Sequence, residues 1–133
     1  MAHYILDTGI VIQHLRGQQS IVQLLRNLGK RERLGIASIT RLEIHAGMYP
    51  DEAYKTQKLL NRFVTYDLDK DIADRAGDYI RECRSNQQAL SVPDAIIAAT
   101  AVTYRATLVT LHLKDFQPLS GLHLYPLPPE LLA

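Results

Sequence analysis

The sequence predicts an α/β fold in which helices cover both faces of a parallel sheet. Short apolar segments with strand character alternate along the chain with longer segments whose hydrophobic residues recur at the helical period. This alternation is typical of parallel sheets, because a crossover helix joins each strand to the next. The 133 residues, 47% of them hydrophobic, suffice for one domain with a sizeable core. We therefore expect a single α/β/α sandwich over residues 1–133.

Five apolar segments are predicted strands. In chain order they cover residues 3–6, 34–37, 64–68, 107–111 and 122–125. The fifth is short and precedes a proline-rich tail, so we place it at an edge of the sheet. Asp7 directly follows the first strand, and His112 and Asp115 follow the fourth. Ligands of open α/β sheets bind beyond the carboxyl ends of strands, so these polar residues are candidates for chemistry.

Three helices are predicted before residue 50. The first covers residues 9–15, directly after the first strand. The second is predicted to have Ser20 as its N-cap and Gly29 as its stop. The third opens at Ser38, after the second strand, and is expected to extend to Met48.

Three further helices are predicted in the rest of the chain. One begins at Asp51, and the next begins near Asp69. The helix that begins near Asp69 has one apolar face, made of Ile72, Ala76, Tyr79, Ile80 and Cys83. The last begins at Pro93, whose fixed φ and missing N–H suit a first helical position. It is small or aliphatic on every side after Asp94, which predicts a helix buried all round.

Charge and hydropathy limit the partners and the location. Fifteen basic and fourteen acidic residues give a net charge of +1, so a polyanion would have to bind through local patches. We interpret Lys30, Arg31 and Arg33 as solvated cations at the end of the second helix, rather than as a phosphate-binding patch. No apolar run reaches membrane-spanning length and no signal segment opens the chain. We therefore expect a cytoplasmic protein with no membrane partner.

Four acidic residues stand at the ends of apolar segments: Asp7, Glu43, Asp94 and Asp115. Asp7 alone could be a helix cap, and Asp94 alone a carboxylate favoured by a helix dipole. Glu43 could complete a capping box with Thr40, unless its helix starts at residue 38. If separate βα units bring the four acids to one edge, their repulsion requires a cation. Carboxylates without a His or Cys pattern suit Mg²⁺ or Mn²⁺ better than zinc.

Four segments carry a resemblance to a known family. They are LDT at residues 6–8, SITRLEI at 38–44, PDAIIAATA at 93–101, and LVT at 108–110 followed by DF at 115–116. In this order and spacing they resemble the motifs of PIN domains, and in size the chain is similar to the VapC-type toxins of bacterial toxin–antitoxin pairs. The resemblance implies a Mg²⁺- or Mn²⁺-dependent endoribonuclease with an α/β/α sandwich. It also implies a homodimer that a small VapB-like antitoxin inhibits.

The resemblance assigns roles to individual residues. It implies that Asp7, Glu43, Asp94 and Asp115 are the catalytic and metal-site acids, with Thr8 and Thr110 as polar supports. We expect Asp7 and Asp94 to be direct metal ligands. Glu43 is expected to orient or deprotonate the attacking water, and Asp115 to act through a second metal or a bridging water.

Two positions depart from the family pattern. Gly9 stands where Asn or Ser is common, and His112 stands where Asn is common. His112 could be a substrate contact, a proton carrier or a surface residue, and we favour a surface residue. The four acids are retained, so these departures predict altered contacts rather than lost activity.

The functional hypothesis is an endoribonuclease that acts as the toxin of a type II toxin–antitoxin pair. Its acidic cluster would position a metal ion and a water for attack on a phosphate of structured RNA. A catalytically weak module that binds an antitoxin or RNA is one alternative, and a related DNA-directed nuclease is another. Metal-dependent turnover, measured on RNA and on DNA, distinguishes the three.

Overall fold

A five-stranded sheet forms the centre of the computed structural model, which describes residues 2–131. Its strands are β1 (Tyr4–Leu6), β2 (Leu34–Ala37), β3 (Val64–Tyr66), β4 (Thr107–Val109) and β5 (His123–Leu124). They lie in the order β3-β2-β1-β4-β5, and every neighbouring pair is parallel. The predicted parallel sheet is confirmed, and β5 forms one of its edges as expected.

Helices connect these strands. In chain order they are α1 (Thr8–Leu15), α2 (Gln19–Gly29), α3 (Ser38–Gly47), α4 (Ala53–Leu60), α5 (Lys70–Ser85), α6 (Val92–Thr103) and the short α7 (Leu113–Phe116). The predicted start of α3 at Ser38 is confirmed, as is Asp69 as the N-cap of α5, where its side chain accepts from the Ile72 N–H. Within residues 2–131, no helix has both the length and the apolar character that crossing a membrane requires.

Several predicted boundaries are wrong by a few residues. Gln18, not Ser20, is the N-cap of α2, and it makes no side-chain cap bond. Asp51 lies in a 3-10 turn (Pro50–Glu52), so α4 starts only after that turn. Met48 has extended backbone beyond the end of α3. The start of α4 was misplaced because periodicity does not resolve a short 3-10 turn before a helix. The other two boundaries differ by one or two residues, which is the ordinary spread of helix ends.

The predicted strands 64–68 and 107–111 are each too long. The first ends at Tyr66, because the following residues form the entry to α5 and its cap. The second ends at Val109, because its pairing with β1 ends there, opposite Leu6, and the Thr110 side chain that follows donates to Asp7. Both errors fall where the chain leaves the sheet for a polar contact.

Two hydrophobic clusters lie on opposite faces of the sheet. Ile5 and Leu108 point into the cluster that α5 and α6 cover. Leu6 and Val109 point into the other cluster, which α1 and α2 cover. Successive strand residues face opposite sides, so each strand contributes to both clusters. This arrangement confirms the predicted α/β/α layers.

The helix α6 is the most buried helix of the fold. Residues 95–101 are all buried, as the apolar sequence on every side predicted. One side of α6 packs against α5, and the other contacts β1, β2 and β4. This packing fixes the first turn of α6, which contains Asp94, at the carboxyl ends of the strands.

Candidate active site

The carboxyl ends of β1 and β4 form the centre of the site. From β1 the chain continues to β2 and β3 on one side of the sheet, and to β4 and β5 on the other. A crevice at the point where strand order reverses is the usual ligand site of open α/β sheets. Asp7 follows β1 at this point, and its N–H donates to the Val109 carbonyl oxygen at 2.9 Å.

Asp7 is buried, with 3% of its surface exposed, and both of its carboxylate oxygens accept hydrogen bonds. The Thr8 N–H donates to Oδ1 at 2.8 Å, and the Thr110 hydroxyl donates to Oδ2 at 2.6 Å. Thr110 in turn accepts from the His112 N–H at 3.0 Å. Asp7 is also the N-cap of α1, so it both caps this helix and belongs to the acidic group.

Glu43 is connected to this group through Thr8. The Thr8 hydroxyl donates to Glu43 Oε1 at 2.7 Å, and it lies 3.0 Å from the Thr40 hydroxyl. A hydroxyl has one proton, so the fully buried Thr40 is the donor in that second bond. Because α3 starts at Ser38, Glu43 lies beyond its first turn, and the capping box with Thr40 does not form. Thr8 thus holds Asp7 through its backbone and Glu43 through its side chain.

Asp94 lies in the first turn of α6. Ser91 is the N-cap of this helix, and its hydroxyl accepts from the Asp94 N–H at 3.2 Å. The Asp94 side chain is partly buried. The helix dipole favours a carboxylate at this position, but it does not explain the other acids around it.

Burial and neighbouring charge raise the pKa values of two of the acids. Burial is the largest cause of the raised pKa of Asp7, followed among the raising effects by the charge of Asp94, while bonds from Thr110 and Thr8 lower it. The pKa of Asp94 is also raised, first by burial and then by the charge of Asp115. The Asp94 carboxylate therefore repels Asp7 and is repelled by Asp115, and a cation would relieve this repulsion.

Asp115 and His112 form the exposed side of the group. Asp115 lies in α7, and His112 directly precedes that helix. His112 is at the surface, as we favoured, and a protonated ring there lowers the pKa values of Asp7 and Asp94. A Cβ atom at Gly9 would lie 3.9 Å from His112 Nε2. The two departures from the family pattern are therefore neighbours.

The seven residues predicted from the sequence as catalytic, metal-site or supporting residues lie at the carboxyl ends of the strands, linked by hydrogen bonds or by charge. They are Asp7, Thr8, Glu43, Asp94, Thr110, His112 and Asp115. Sequence reasoning missed Thr40 as a support of Thr8, and nothing in its local pattern indicated that contact. It also missed Ser91, although Ser followed three residues later by an acidic residue is a recognisable cap pattern.

The chemistry of these donors fits a hard divalent cation. Within residues 2–131, no three His, Cys, Asp or Glu side chains are already gathered in an arrangement that could hold a metal ion. Mg²⁺ keeps several waters and takes one or two carboxylates together with substrate phosphates, so such a group of three is not required. Asp7 and Asp94, whose raised pKa values reflect burial and nearby negative charge, would supply those carboxylates.

A model of the PIN domain family matches residues 4–116, a range that contains the whole acidic group. The chain therefore belongs to the PIN domain family, as its four motifs indicated.

Relatives and solved structures agree with this assignment. Ribonuclease VapC19 of Mycobacterium tuberculosis is 30% identical over 113 residues, which cover 84% of this chain and 90% of the relative. A toxin–antitoxin complex from Klebsiella pneumoniae has a TM-score of 0.73 and 29% identity, covering 93% of this chain and 99% of the other. VapBC2 from Rickettsia felis, bound to a promoter DNA fragment, has a TM-score of 0.83 at 24% identity, covering 94% and 98%. The resemblance to VapC-type PIN domains is confirmed, as is the fold.

Proposed function

We propose that this chain is a Mg²⁺- or Mn²⁺-dependent endoribonuclease and the toxin of a type II toxin–antitoxin pair. The observation that carries the proposal is the acidic group at the carboxyl ends of β1 and β4, in which Asp7 is buried and the charge of Asp94 helps to raise its pKa. A buried carboxylate near a second negative charge is unfavourable unless a cation binds there. The ribonuclease named among the relatives supports RNA as the substrate class.

Each acid and hydroxyl of the site has a separate proposed role. When bound, a divalent ion would supply an activated water and neutralise the charge that develops during phosphodiester hydrolysis. Asp7 and Asp94 would hold that ion, while Thr8 and Thr110 keep the Asp7 carboxylate in one orientation. Glu43, fixed by the Thr8 hydroxyl, would orient the attacking water or take its proton. The exposed Asp115 would act at the outer side, through a second ion or an ordered water.

The proposal includes a partner, an assembly and a location. A VapB-like antitoxin would cover the acids with a basic side chain, because a guanidinium pairs bidentately with carboxylates. The Klebsiella pneumoniae structure, a toxin–antitoxin complex, supports this kind of partner. We also propose a homodimer, for which the exposed Leu42, Tyr49 and Tyr54 offer apolar surface. The whole chain would form one nuclease domain in the cytoplasm, and specificity for structured RNA would depend on shape and unpaired bases.

Purified protein is expected to cleave structured RNA in Mg²⁺ or Mn²⁺ and to stop cleaving it in a chelator. DNA of the same sequence should remain intact, and expression should arrest growth until the neighbouring small reading frame is co-expressed. Gel analysis of the RNA and colony counts measure these results. Equal cleavage in chelator would contradict the metal mechanism, and preference for DNA would favour the DNA-directed alternative. Harmless expression of folded protein with no RNA cleavage would favour the binding module.

Thr8→Val is expected to slow RNA cleavage by about tenfold to a hundredfold, because the Glu43 carboxylate loses the donor that orients it. The backbone N–H that serves Asp7 is retained in this variant. Thr8→Ser keeps the hydroxyl and is the matched control, expected to retain most of the rate. Single-turnover cleavage measures the difference, and equal rates for the Val and Ser variants would exclude a positioning role for the hydroxyl.

A further inference from the structure

A cavity of about 600 Å³ lies at the amino ends of the strands, on the opposite side of the sheet from the acidic site at their carboxyl ends. Its wall includes Leu34, the first residue of β2, and Phe63, which directly precedes β3. The amino ends of these strands face away from the carboxyl ends at which Asp7 lies. Pockets for small ligands have volumes of roughly 300–1,000 Å³, so this cavity can accept a small organic molecule.

Basic side chains dominate the rim of this cavity. They are Arg26, Lys30, Arg31, Arg33 and Arg62. These five belong to a chain with only fifteen Lys and Arg residues and a net charge of +1. In the part of the chain that the structure describes, none of the five forms an ion pair. Glu32, the acid in the wall, is paired with His3. The rim therefore carries positive charge that an anion would neutralise.

The floor of the cavity is apolar. It is lined by Val22 and Leu25 of α2, by Leu59 of α4, and by Phe63. A simple inorganic anion would leave this surface in contact with water, whereas a planar organic group would cover it. The floor thus favours a ligand with an apolar body over a bare anion.

His14 lines the same cavity, and its pKa responds to the positive charges around the cavity. Its Nδ1 atom is buried without a hydrogen-bond partner in the described part of the chain. Burial lowers the pKa of His14, and the positive charges of Arg62, Lys55 and Arg26 lower it further. An anion bound at the rim would offset these charges and raise that pKa.

We propose that this cavity binds a small organic phosphate with a planar apolar body, of the nucleoside monophosphate class. Four of the five rim cations are arginines, whose planar guanidinium groups match phosphate oxygens in pairs of hydrogen bonds. The apolar floor takes the base. The sequence alone suggested that Lys30, Arg31 and Arg33 are solvated cations. In the structure Arg26 and Arg62 line the same cavity, and we assign all five to one anion-binding site. This site does not depend on the proposed ribonuclease activity.

Titration calorimetry of the full chain in chelator tests the site with four probes: adenosine monophosphate, adenosine, inorganic phosphate and hexaglutamate. Chelator keeps phosphate from reaching the acidic group through a metal ion. Adenosine monophosphate is expected to bind most tightly, since it engages both the rim and the floor. Absence of saturable binding up to about 1 mM nucleotide would overturn the proposal. Equal or tighter binding of hexaglutamate would overturn it in favour of an acidic peptide ligand.

Two double variants locate the binding. Arg26→Gln with Arg62→Gln should weaken nucleotide affinity by about a hundredfold, because two charge-assisted contacts are removed. Arg75→Gln with Arg84→Gln removes two exposed arginines of α5 and should leave the affinity unchanged. Equal loss in both pairs would indicate attraction by net charge alone and overturn the assigned site.

Histidine NMR provides a readout independent of these variants. Adenosine monophosphate should shift the His14 ring signals and raise the pKa of that ring. The ring signals of His112, beside the acidic group, should not shift. Shifts at His112 without shifts at His14 would place the ligand at the other edge of the sheet and refute the cavity site.

Discussion

Asp7→Asn is expected to reduce RNA cleavage on the order of a thousandfold without unfolding the protein. The amide retains an oxygen for the Thr8 N–H but removes the charge that would hold a divalent ion. Replacing a buried carboxylate whose pKa is raised also removes an unfavourable charge from the folded state. Single-turnover cleavage in saturating Mg²⁺ and thermal unfolding measure rate and fold separately.

Asp94→Asn is expected to lose cleavage in the same way, which makes the test independent of any local disturbance around Asp7. Asp74→Asn removes an exposed carboxylate on α5 and is the matched control, with an expected rate close to wild type. Folded Asp7→Asn and Asp94→Asn proteins that cleave within about tenfold of the control would contradict the proposed ligand roles.

Without metal, Asp94→Asn is expected to be more stable than wild type at neutral pH. The folded-state pKa of Asp94 is raised by burial and by Asp115, so between the unfolded value and this raised value the folded state binds more protons. Stability therefore falls as pH rises through that window, and the charge remains unfavourable above it. The advantage of the variant should shrink in acid, where Asp94 is protonated in both states. Thermal melts in chelator across pH measure this difference.

Mg²⁺ is expected to reverse the order of stability. An ion that binds only the folded state, at a free concentration a hundredfold above its dissociation constant, stabilises wild type by about 2.7 kcal/mol. Asp94→Asn should gain much less, because it lacks one of the two proposed ligands. If the variant is instead the less stable protein in chelator and responds equally to Mg²⁺, Asp94 is an ordinary helix-terminus carboxylate.

The sequence predicted those parts of the fold that depend on local pattern. The apolar residues after Asp94 specify a helix buried on every side, and α6 is that helix. Asp7 and His112, which follow the first and fourth predicted strands, pointed to the carboxyl ends of those strands. The structure connects them there through Thr110, whose hydroxyl donates to Asp7 and accepts from the His112 N–H. Both inferences use periodicity and the geometry of parallel sheets, which act at the level of single elements.

Contacts between distant side chains could not be predicted in this way. The Thr8 hydroxyl meets Thr40 and Glu43 across 32 and 35 residues of chain, through the choice of a side-chain rotamer. The cavity beside Arg26 and Arg62 is similar, because α2 and the segment after α4 contribute separate parts of its wall. Such sites depend on the relative placement of whole elements, which no local motif encodes.

The pairing of β1 with β4 also bears on how the protein is made. Asp7 and Thr8 are synthesised well before Asp94, Thr110 and Asp115. The bond from Thr110 to Asp7 spans 103 residues, so it forms only after β4 has been synthesised and has docked beside β1. A chain that ends before residue 107 would lack the contacts that Val109 and Thr110 make with Asp7. A translating ribosome therefore carries no chain with a complete acidic site until the segment that ends at Asp115 has been synthesised.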